Sequence, residues 1–366
     1  MIVKWLIQPD SEVKKHFVKE DKVTWKTIGQ LSSIDRISKA AKLDRLSHAY
    51  LICGMDGIGK VTFARDIAKV ANCLDMPNPS GPCGSCNQCI RIDSYNHTDV
   101  FIYDVKKDLD GAGRTSTMVT IDQLREDFLK QVHRKPYEGR TRIFIISSIE
   151  SMRSEQSNIL LKTLEEPPDD VVIILLARDV SNLLGTIVSR CQVLNLEPVS
   201  ELEIVEYLGG CELGSEVPIK EIARLSRGRP EWAYQAATNP EILHILEDKL
   251  NRFMGCITDS LEQRFKLSRD LSTQFFRDRD EVYEFLDTAM TWTRDVLLSS
   301  SERTGEIVNI SQKERIREFS KMLSTTDILS ILKLIRITLS NLKKNVTPSL
   351  VLDNFMLKLP FPTSID

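Results

Sequence analysis

An apolar run passes into a glycine-rich turn at Ala49-Tyr50-Leu51-Ile52-Cys53-Gly54-Met55-Asp56-Gly57-Ile58-Gly59-Lys60. The second half of this run satisfies the phosphate-loop pattern G-x-x-x-x-G-K, which has functional meaning only between a strand and a helix. Both neighbours are present, because Ala49–Cys53 has the composition of a buried strand and the apolar residues of 63–68 recur at helical spacing. The sequence therefore predicts an α/β fold with a phosphate-binding loop at the end of a strand.

The candidate ligands of that loop are Gly54, Gly57, Gly59 and Lys60. Glycines let backbone N–H groups converge on phosphate oxygens at a helix N-terminus, and the lysine adds a positive charge. ATP or ADP is therefore a candidate ligand. A glycine-rich turn that binds no ligand is the alternative, since the residue after the lysine is not the usual Ser or Thr.

The residues that would hydrolyse ATP are missing from the sequence. Val61 stands where a hydroxyl would ligate Mg²⁺, and Thr62 lies one residue too late, about 100° further around the helix. The apolar run 142–146 leads into Ser147-Ser148, where a working ATPase would carry carboxylates for the metal and for the attacking water. Glu150 follows shortly after, and we expect it to be a surface residue. The sequence predicts a chain that can hold a nucleotide without turning it over, and the alternative is an ATPase that uses Thr62 and Glu150.

Further apolar runs give the domain organisation. They lie at 100–103 and 171–176 and alternate with helical patterns, which predicts a mostly parallel sheet covered by helices on both faces. Strand patterns cease after residue 198, and the rest of the chain is helical in pattern. We predict four parts, namely an N-terminal extension of unknown role over 1–24, an α/β P-loop domain over 25–198, a small helical lid domain over 199–240 and a helical oligomerisation domain over 241–366.

Four of the eight cysteines crowd into a short segment with the spacing C-x9-C-x2-C-x2-C. They are Cys73, Cys83, Cys86 and Cys89. Four thiolates form closed, tetrahedral Zn²⁺ sites with no open position for a substrate, so we predict a structural zinc module at about 73–89. Free or disulfide-paired cysteines are the alternative, and a disulfide would suit an oxidising compartment.

The composition excludes some classes of protein. The chain has 366 residues, of which 42% are hydrophobic and 28% charged, as expected of a soluble protein with more than one domain. A formal net charge of −3 argues against a zinc-dependent nucleic-acid binder acting alone, so any contact with DNA should be shared or weak. The sequence shows neither a signal peptide nor a membrane-spanning run, and we predict a cytoplasmic protein with no membrane partner.

Several phrases in the chain resemble a known family. They are Ile28-Gly29-Gln30, His48-Ala49-Tyr50-Leu51, Asn158-Ile159-Leu160-Leu161-Lys162-Thr163-Leu164-Glu165-Glu166-Pro167-Pro168 and Thr186-Ile187-Val188-Ser189-Arg190-Cys191-Gln192. Together with the inserted cysteine module, they are similar to the bacterial DNA polymerase III clamp-loader subunits of the AAA+ class. The resemblance covers about 25–240 and implies an AAA+ P-loop domain, a small helical lid domain and a C-terminal helical collar domain.

The resemblance also implies a function and its partners. Val61 and Ser147-Ser148 indicate the delta-prime type, which lacks hydrolysis, and a catalytically active gamma/tau-like ATPase stays the alternative. Glu231 stands where a sensor arginine would be expected, and Arg178 lies at or beside the position of a sensor threonine. The implied partners are the gamma/tau and delta subunits, the sliding clamp, and primed DNA as part of the complex.

One functional residue of the family is retained in the Ser-Arg-Cys motif. Arg190 is similar to the arginine that a clamp-loader subunit projects into the nucleotide site of its neighbour. Such an arginine finger would stabilise charge on the transferring γ-phosphate, and because it acts in trans it does not need the chain's own magnesium site. From residue chemistry alone, the alternative is a surface arginine that closes a strand.

Overall fold

The computed structural model describes residues 25–75, 81–104, 121–152, 154–214, 217–344 and 346–361. The predicted extension, 1–24, lies outside the described residues. The chain divides into two units. The sheet unit comprises Met1–Ser215 and Ser226–Tyr234, and the helical unit comprises Glu216–Leu225 and Gln235–Asp366. The predicted lid thus has residues in both units, and the four-part division of the chain stays a prediction.

A parallel sheet forms the centre of the sheet unit. Its five strands are β1 Ala49–Cys53, β2 Val100–Asp104, β3 Arg142–Ser147, β4 Val171–Ala177 and β5 Gln192–Asn195. They lie in the order β2-β3-β4-β1-β5, and each neighbouring pair is parallel. Strands β1 and β4 are buried along their whole length, as expected where helices cover both faces of a sheet. The predicted α/β fold is confirmed.

The helices alternate with the strands and then continue alone. In chain order they are α1 Leu31–Lys42, α2 Lys60–Asn72, α3 Asn87–Asp93, α4 Ile121–Val132, α5 Ser154–Glu165, α6 Gly185–Val188, α7 Glu201–Gly209, α8 Ile219–Ser226, α9 Pro230–Thr238, α10 Pro240–Thr258, α11 Leu261–Arg277, α12 Arg279–Ser300, α13 Lys313–Met322, α14 Thr325–Lys343 and α15 Pro348–Lys358. Within the described ranges, no helix is long and apolar enough to cross a membrane.

Alternate residues of each strand feed two separate cores. On one face, Tyr50 and Ile52 of β1 pack in the same cluster as Phe63 and Ile67 of α2. On the other face, Leu51 packs in a cluster with residues of α4 and α5. Because side chains alternate across a strand, the same short apolar run supports helices above and below the sheet.

The register of the strands brings their carboxyl ends to one edge of the sheet. Cys53 at the end of β1 lies beside Ala177 of β4 and Asn195 of β5, and Ile146 of β3 lies beside Leu175 of β4. The loops that leave these strands therefore meet at the same edge. In open α/β sheets ligands bind at this edge, and the phosphate loop emerges there.

A buried ionic network fixes α2, the helix that carries the loop. Lys69 Nζ lies 2.7 Å from Asp66 and 3.2 Å from Asp93 of α3, and the Lys69 side chain is fully buried. Burial alone would lower the pKa of Lys69, but these two carboxylates outweigh it and raise that pKa. Asp66 also accepts hydrogen bonds from the backbone N–H groups of Lys26 and Thr27. The network joins the segment before α1, helix α2 and the cysteine segment.

The helical unit has its own aromatic core. Trp292 packs edge-on against Phe253 and Phe319, at centroid distances of 5.8 and 4.8 Å. Helix α14 contributes a buried apolar face to this unit, whereas Leu329 of the same helix is 51% exposed. Ser324 is the N-cap of this helix, and Asp327 completes its capping box.

Candidate nucleotide site and metal centre

The backbone of the phosphate loop requires glycine at two positions. Gly57 and Gly59 have φ values of 75° and 98°, in the left-handed region that other residues rarely adopt. At Gly57 there is also no room, since a Cβ atom would lie 2.7 Å from Cβ of Trp232. Gly59 is the N-cap of α2, so the loop does lead from β1 into a helix N-terminus. The strand, turn and helix predicted for this motif are all present.

The side chain of Lys60 forms hydrogen bonds to the phosphate loop itself, where a nucleotide-binding lysine would be expected to contact phosphate. Its Nζ lies 2.6 Å from the carbonyl oxygen of Gly54, 3.0 Å from that of Met55 and 3.3 Å from Asp56 Oδ1. An incoming phosphate would have to replace some of these bonds. The next residue, Val61, packs against the core on the α2 side of the sheet and brings no hydroxyl to the loop.

The strand end that would carry catalytic carboxylates carries serines. β3 ends at Ser147, and Ser148 follows in the left-handed region with a φ of 58°. Glu150, in the 3-10 helix Ile149–Ser151, was expected at the surface, and this was wrong because its side chain is only 22% exposed. Burial raises the pKa of Glu150, while Arg178 and Lys60 oppose that rise. The structure therefore places the carboxyl group of Glu150 beside the loop, whereas the sequence pattern predicted a surface residue there.

Arg178 also lies at the loop. It follows β4 directly, and its Nε is 2.6 Å from Asp56 Oδ2 and 4.0 Å from Glu150 Oε1. It borders a cavity of about 250 Å³ at the carboxyl edge of the sheet, lined by Cys53, Gly54, Arg178, Asp179, Val180, Asn195 and Leu196. The position after β4, singled out in the sequence as that of a sensor residue, does face the phosphate loop.

Glu231 is held against the loop by the first turn of α9. The backbone N–H groups of Glu231 and Trp232 both donate to the carbonyl oxygen of Gly57, at 3.0 and 3.1 Å. The Glu231 carboxyl group in turn accepts a hydrogen bond from the backbone of Gly59. Burial raises the pKa of Glu231, and the charge of Lys60 opposes that rise. The sequence pointed to this position only as one where an arginine is absent, whereas the structure shows what the glutamate contacts.

The charges around the loop do not favour an anion. Lys60 and Arg178 are faced by three carboxyl groups, those of Asp56, Glu150 and Glu231. A triphosphate binds well where positive charge and free N–H groups converge. Here the lysine and the arginine already have carboxylate partners, so the described residues around the loop do not supply the excess positive charge of a strong phosphate site.

Arg190 has its contacts elsewhere in the sheet unit. It follows α6, and its guanidinium lies 2.7 Å from Glu165 Oε1 and 2.9 Å from the carbonyl oxygen of Thr186. The Arg190 side chain is 33% exposed and that of Glu165 is 51% exposed. An ion pair so open to solvent contributes about 0–1 kcal/mol, so it is easily broken when a better anion arrives.

The four cysteines of the predicted metal module converge at the end of α2. Their sulfur atoms all lie within 4.8 Å of one another, and Cys73 directly follows α2 while Cys89 lies in α3. Four thiolates at a Zn–S distance of about 2.3 Å would be about 3.8 Å apart in a tetrahedral site, which is close to the arrangement seen. Backbone N–H groups of Cys83, Cys86 and Cys89 point at sulfur atoms of the cluster, at 3.3 to 3.5 Å. The cluster could hold a metal ion and is compatible with zinc.

Comparison with known proteins places the chain among DNA polymerase III subunits. A profile of the family described as "DNA polymerase III, delta subunit" matches residues 29–200. The delta-prime subunit of Bacillus subtilis (strain 168) is 30% identical over 277 residues, which cover 75% of this chain and 80% of that protein. The gamma subunit of Buchnera aphidicola subsp. Acyrthosiphon pisum is 36% identical over 181 residues, which cover 50% of this chain and 47% of that protein.

Other relatives are matched over a smaller part of their length. The tau/gamma subunit of Haemophilus influenzae is 34% identical over 196 residues, 54% of this chain and 27% of that protein. The chain thus spans less than half the length of these gamma and tau/gamma relatives. Among solved structures, a gamma subunit-related protein of Thermotoga maritima is 18% identical and covers 90% of this chain and 98% of its own, with a TM-score of 0.35.

The sheet, its order and the loop at the end of β1 define a P-loop α/β protein. The match to the Bacillus subtilis subunit is long enough to identify the group within that class. The chain belongs to the AAA+ clamp-loader family of bacterial DNA polymerase III, in which delta-prime and gamma/tau subunits both occur.

Proposed function

We propose that the chain is a delta-prime-like subunit of the DNA polymerase III clamp loader that does not hydrolyse ATP itself. The observation that carries this proposal is the set of residues around the loop, since Val61 after the loop and Ser147-Ser148 at the end of β3 replace the magnesium hydroxyl and the carboxylates. Without a residue that fixes Mg²⁺, little remains to neutralise charge on the transferring phosphate. The delta-prime relative, matched over 80% of its length against 47% for the gamma relative, supports the same choice.

In this proposal the chain works as one member of a cytoplasmic hetero-oligomer. Its partners are the gamma/tau and delta subunits, and the complex loads the sliding clamp onto primed DNA during replication. The α/β part over 25–198 with its lid over 199–240 faces the neighbouring ATPase, and the helices over 241–366 form a share of the collar. A net charge of −3 fits DNA contacts that are shared between subunits.

In this proposal, Arg190 is the residue of this chain that takes part in ATP hydrolysis, and it acts in the nucleotide site of the neighbouring subunit. Its guanidinium would leave Glu165 and Thr186 and bind the γ-phosphate in the nucleotide site of the neighbouring subunit. Because the pair with Glu165 is half open to solvent, replacing a carboxylate by a phosphate costs little. An arginine finger raises the rate of phosphoryl transfer by about 10³–10⁵ at the site that it serves.

Zinc is the metal that we assign to the cysteine cluster. Thiolates at Cys73, Cys83, Cys86 and Cys89 are a ligand set typical of structural zinc, and all four lie within bonding reach of one ion. Bound zinc would crosslink the end of α2 to α3 and exclude water from the ligands. The metal would stabilise the fold and take no part in hydrolysis.

A gamma/tau-like ATPase is the second candidate, and one contact favours it. Glu150 is largely buried near Lys60 and Arg178, at the edge where a catalytic carboxylate would be needed. Thr62 would then have to supply the magnesium ligand from the next helical position. This candidate requires hydrolysis that is lost in a Glu150→Gln variant of the isolated chain.

The experiment that tests the proposal mixes the chain with its cognate ATPase subunits, the clamp and primed DNA. We expect Arg190→Ala to lower stimulated hydrolysis by about 10³ at the site that it serves, and the total by less where other sites keep their own arginines. Arg190→Lys should be nearly as poor, since an ammonium group cannot reproduce the bidentate geometry. Arg45→Ala, an exposed arginine of the same unit, is the control.

Assembly has to be checked in the same samples by gel filtration. A loss of hydrolysis with an intact complex supports the finger. Unchanged stimulated hydrolysis in an intact complex that contains Arg190→Ala would remove the assignment.

A further inference from the structure

The phosphate loop and the first turn of α9 exchange hydrogen bonds. The carbonyl oxygen of Gly57 accepts from the N–H groups of Glu231 and Trp232, which are otherwise unsatisfied at a helix start. In return, the Glu231 carboxyl group accepts from the backbone of Gly59, the N-cap of α2. Each of the two helix N-termini is therefore capped by the other segment.

We infer that Glu231 closes the phosphate loop of this chain, with its carboxylate placed where a nucleotide phosphate would otherwise bind. The inference concerns the chain's own loop and stands whether or not Arg190 acts in trans. It makes Glu231 a determinant of which ligands the loop accepts, and it makes the bound carboxylate an internal competitor of ATP, ADP and inorganic phosphate.

The chemistry of the loop makes a carboxylate a fitting substitute for a phosphate. Backbone N–H groups at a helix N-terminus carry partial positive charge and bind carboxylates as well as phosphates. Gly59 provides such a group, and Lys60 lies close enough to stabilise the ionised form of Glu231. A phosphate oxygen that bound Gly59 would compete for the same donor and the same charge.

The competitor is held in place by the packing of α9. Gly57 lies against Trp232 so closely that a Cβ atom would be 2.7 Å from the Trp232 side chain. Two backbone hydrogen bonds fix the same turn to the loop. A group tethered even by a flexible linker acts at an effective concentration of about 1 mM or more, and a group on an anchored helix exceeds a flexible one. A nucleotide therefore has to displace a carboxyl group that is always present.

Neighbouring charges add to this effect. Asp56 of the loop pairs with Lys60 and with Arg178, so both cations are engaged before a ligand arrives. Glu150 brings a further carboxyl group to the same cations. A polyphosphate would meet these acidic groups as well as Glu231.

The test is a calorimetric titration of the full chain with Mg²⁺-ATP, ADP and inorganic phosphate. We expect no measurable binding of Mg²⁺-ATP to the wild type up to about 1 mM, and at least about tenfold tighter binding to Glu231→Gln and Glu231→Ala, the equivalent of about 1.4 kcal/mol. Adding Lys60→Met to Glu231→Gln should abolish the gain, which assigns it to this loop. Glu241→Gln is the matched control, because Pro240-Glu241 starts α10 as Pro230-Glu231 starts α9.

Two results would overturn the inference. One is wild-type protein that binds Mg²⁺-ATP as tightly as the Glu231 variants do, and the other is a folded Glu231→Gln variant whose affinity is unchanged. If neither variant folds, the amide resonance of Gly59 in the wild type decides, since a shift on addition of ATP below 1 mM would show an open loop. Hydrolysis that appeared together with binding in Glu231→Gln would contradict the proposed function while supporting closure.

Discussion

Helix α2 carries a different candidate site at each end, and the two sites have kept different parts of their chemistry. At its N-terminus the phosphate loop has the glycines and the lysine of a nucleotide site, but Val61 lacks the magnesium hydroxyl and the carboxyl group of Glu231 bonds the backbone of Gly59, which we propose prevents nucleotide turnover and binding. Beyond its C-terminus the four cysteines form a complete ligand set for one metal ion. The phosphate loop thus has the backbone conformation of a nucleotide site, whereas the cysteine cluster has the side chains that a metal site needs.

The difference follows from how each site is assembled. The cysteines lie close together in the chain, so their spacing alone brings their sulfur atoms together. The loop site combines 54–60 with Glu150, Arg178 and Glu231, which come from separate segments. Substitutions far away in the chain can therefore change the charge of the loop site and leave its motif intact.

The largest expected effect comes from removing the metal. If the cluster holds zinc, the free energy of metal binding is part of the folding free energy. We expect Cys83→Ser to lower the free energy of unfolding by several kcal/mol, on the order of a third of the metal-binding free energy of a zinc-finger site. Elemental analysis should find one zinc per wild-type chain and none in the variant, and thermal unfolding should shift down. Cys211→Ser, a partly buried cysteine outside the cluster, is the control. A wild type that contains no zinc, together with a variant whose thermal unfolding is unchanged, would show that the four cysteines do not form a metal site.

The ionic network between the two sites should give the next largest effect. Asp66→Ala removes one of the carboxylates that face the fully buried Lys69, and it frees the N–H groups of Lys26 and Thr27. Breaking one partner of a buried pair costs about 3–5 kcal/mol, and hydrogen exchange of the α2 amides measures it locally.

Asp35→Ala removes an exposed pair with Lys39 on α1 and is the control, with an expected cost of at most about 0.5 kcal/mol. Equal protection of the α2 amides in the Asp66 and Asp35 variants would show that the network does not couple the two ends of the helix.

Substitutions at two of the loop glycines, Gly57 and Gly59, distinguish backbone strain from steric contact with α9. Gly57→Ala has to adopt a φ of 75° and also displace Trp232, so we expect a loss of about 2–4 kcal/mol in unfolding free energy. Gly59→Ala has a φ of 98° but nothing within 4 Å of its new Cβ atom, so only about 1–2 kcal/mol of strain is expected. Chemical denaturation of both variants gives the comparison, and equal losses would mean that α9 does not press on the loop.

Local patterns predicted much of this molecule. The apolar runs predicted four of the five strands of the sheet, all but β5, and the spacing of the cysteines predicted the cluster that could hold a metal, because both depend on residues near each other in the chain. The burial of Glu150 and the contact of Glu231 with the loop were not predictable, since each depends on how distant segments pack at the strand ends. The start of α14 shows the same limit on a smaller scale, because Ser324 and Thr326 are both suitable caps and only the geometry selects Ser324.

The central claim is that this chain does not turn over ATP at its own loop. The most direct measurement is steady-state phosphate release by the purified chain alone, with Mg²⁺ and ATP, beside its Lys60→Met variant. We predict that both release phosphate at the same background rate. Release by the wild type at an ordinary AAA+ rate that disappears in Lys60→Met would contradict the claim.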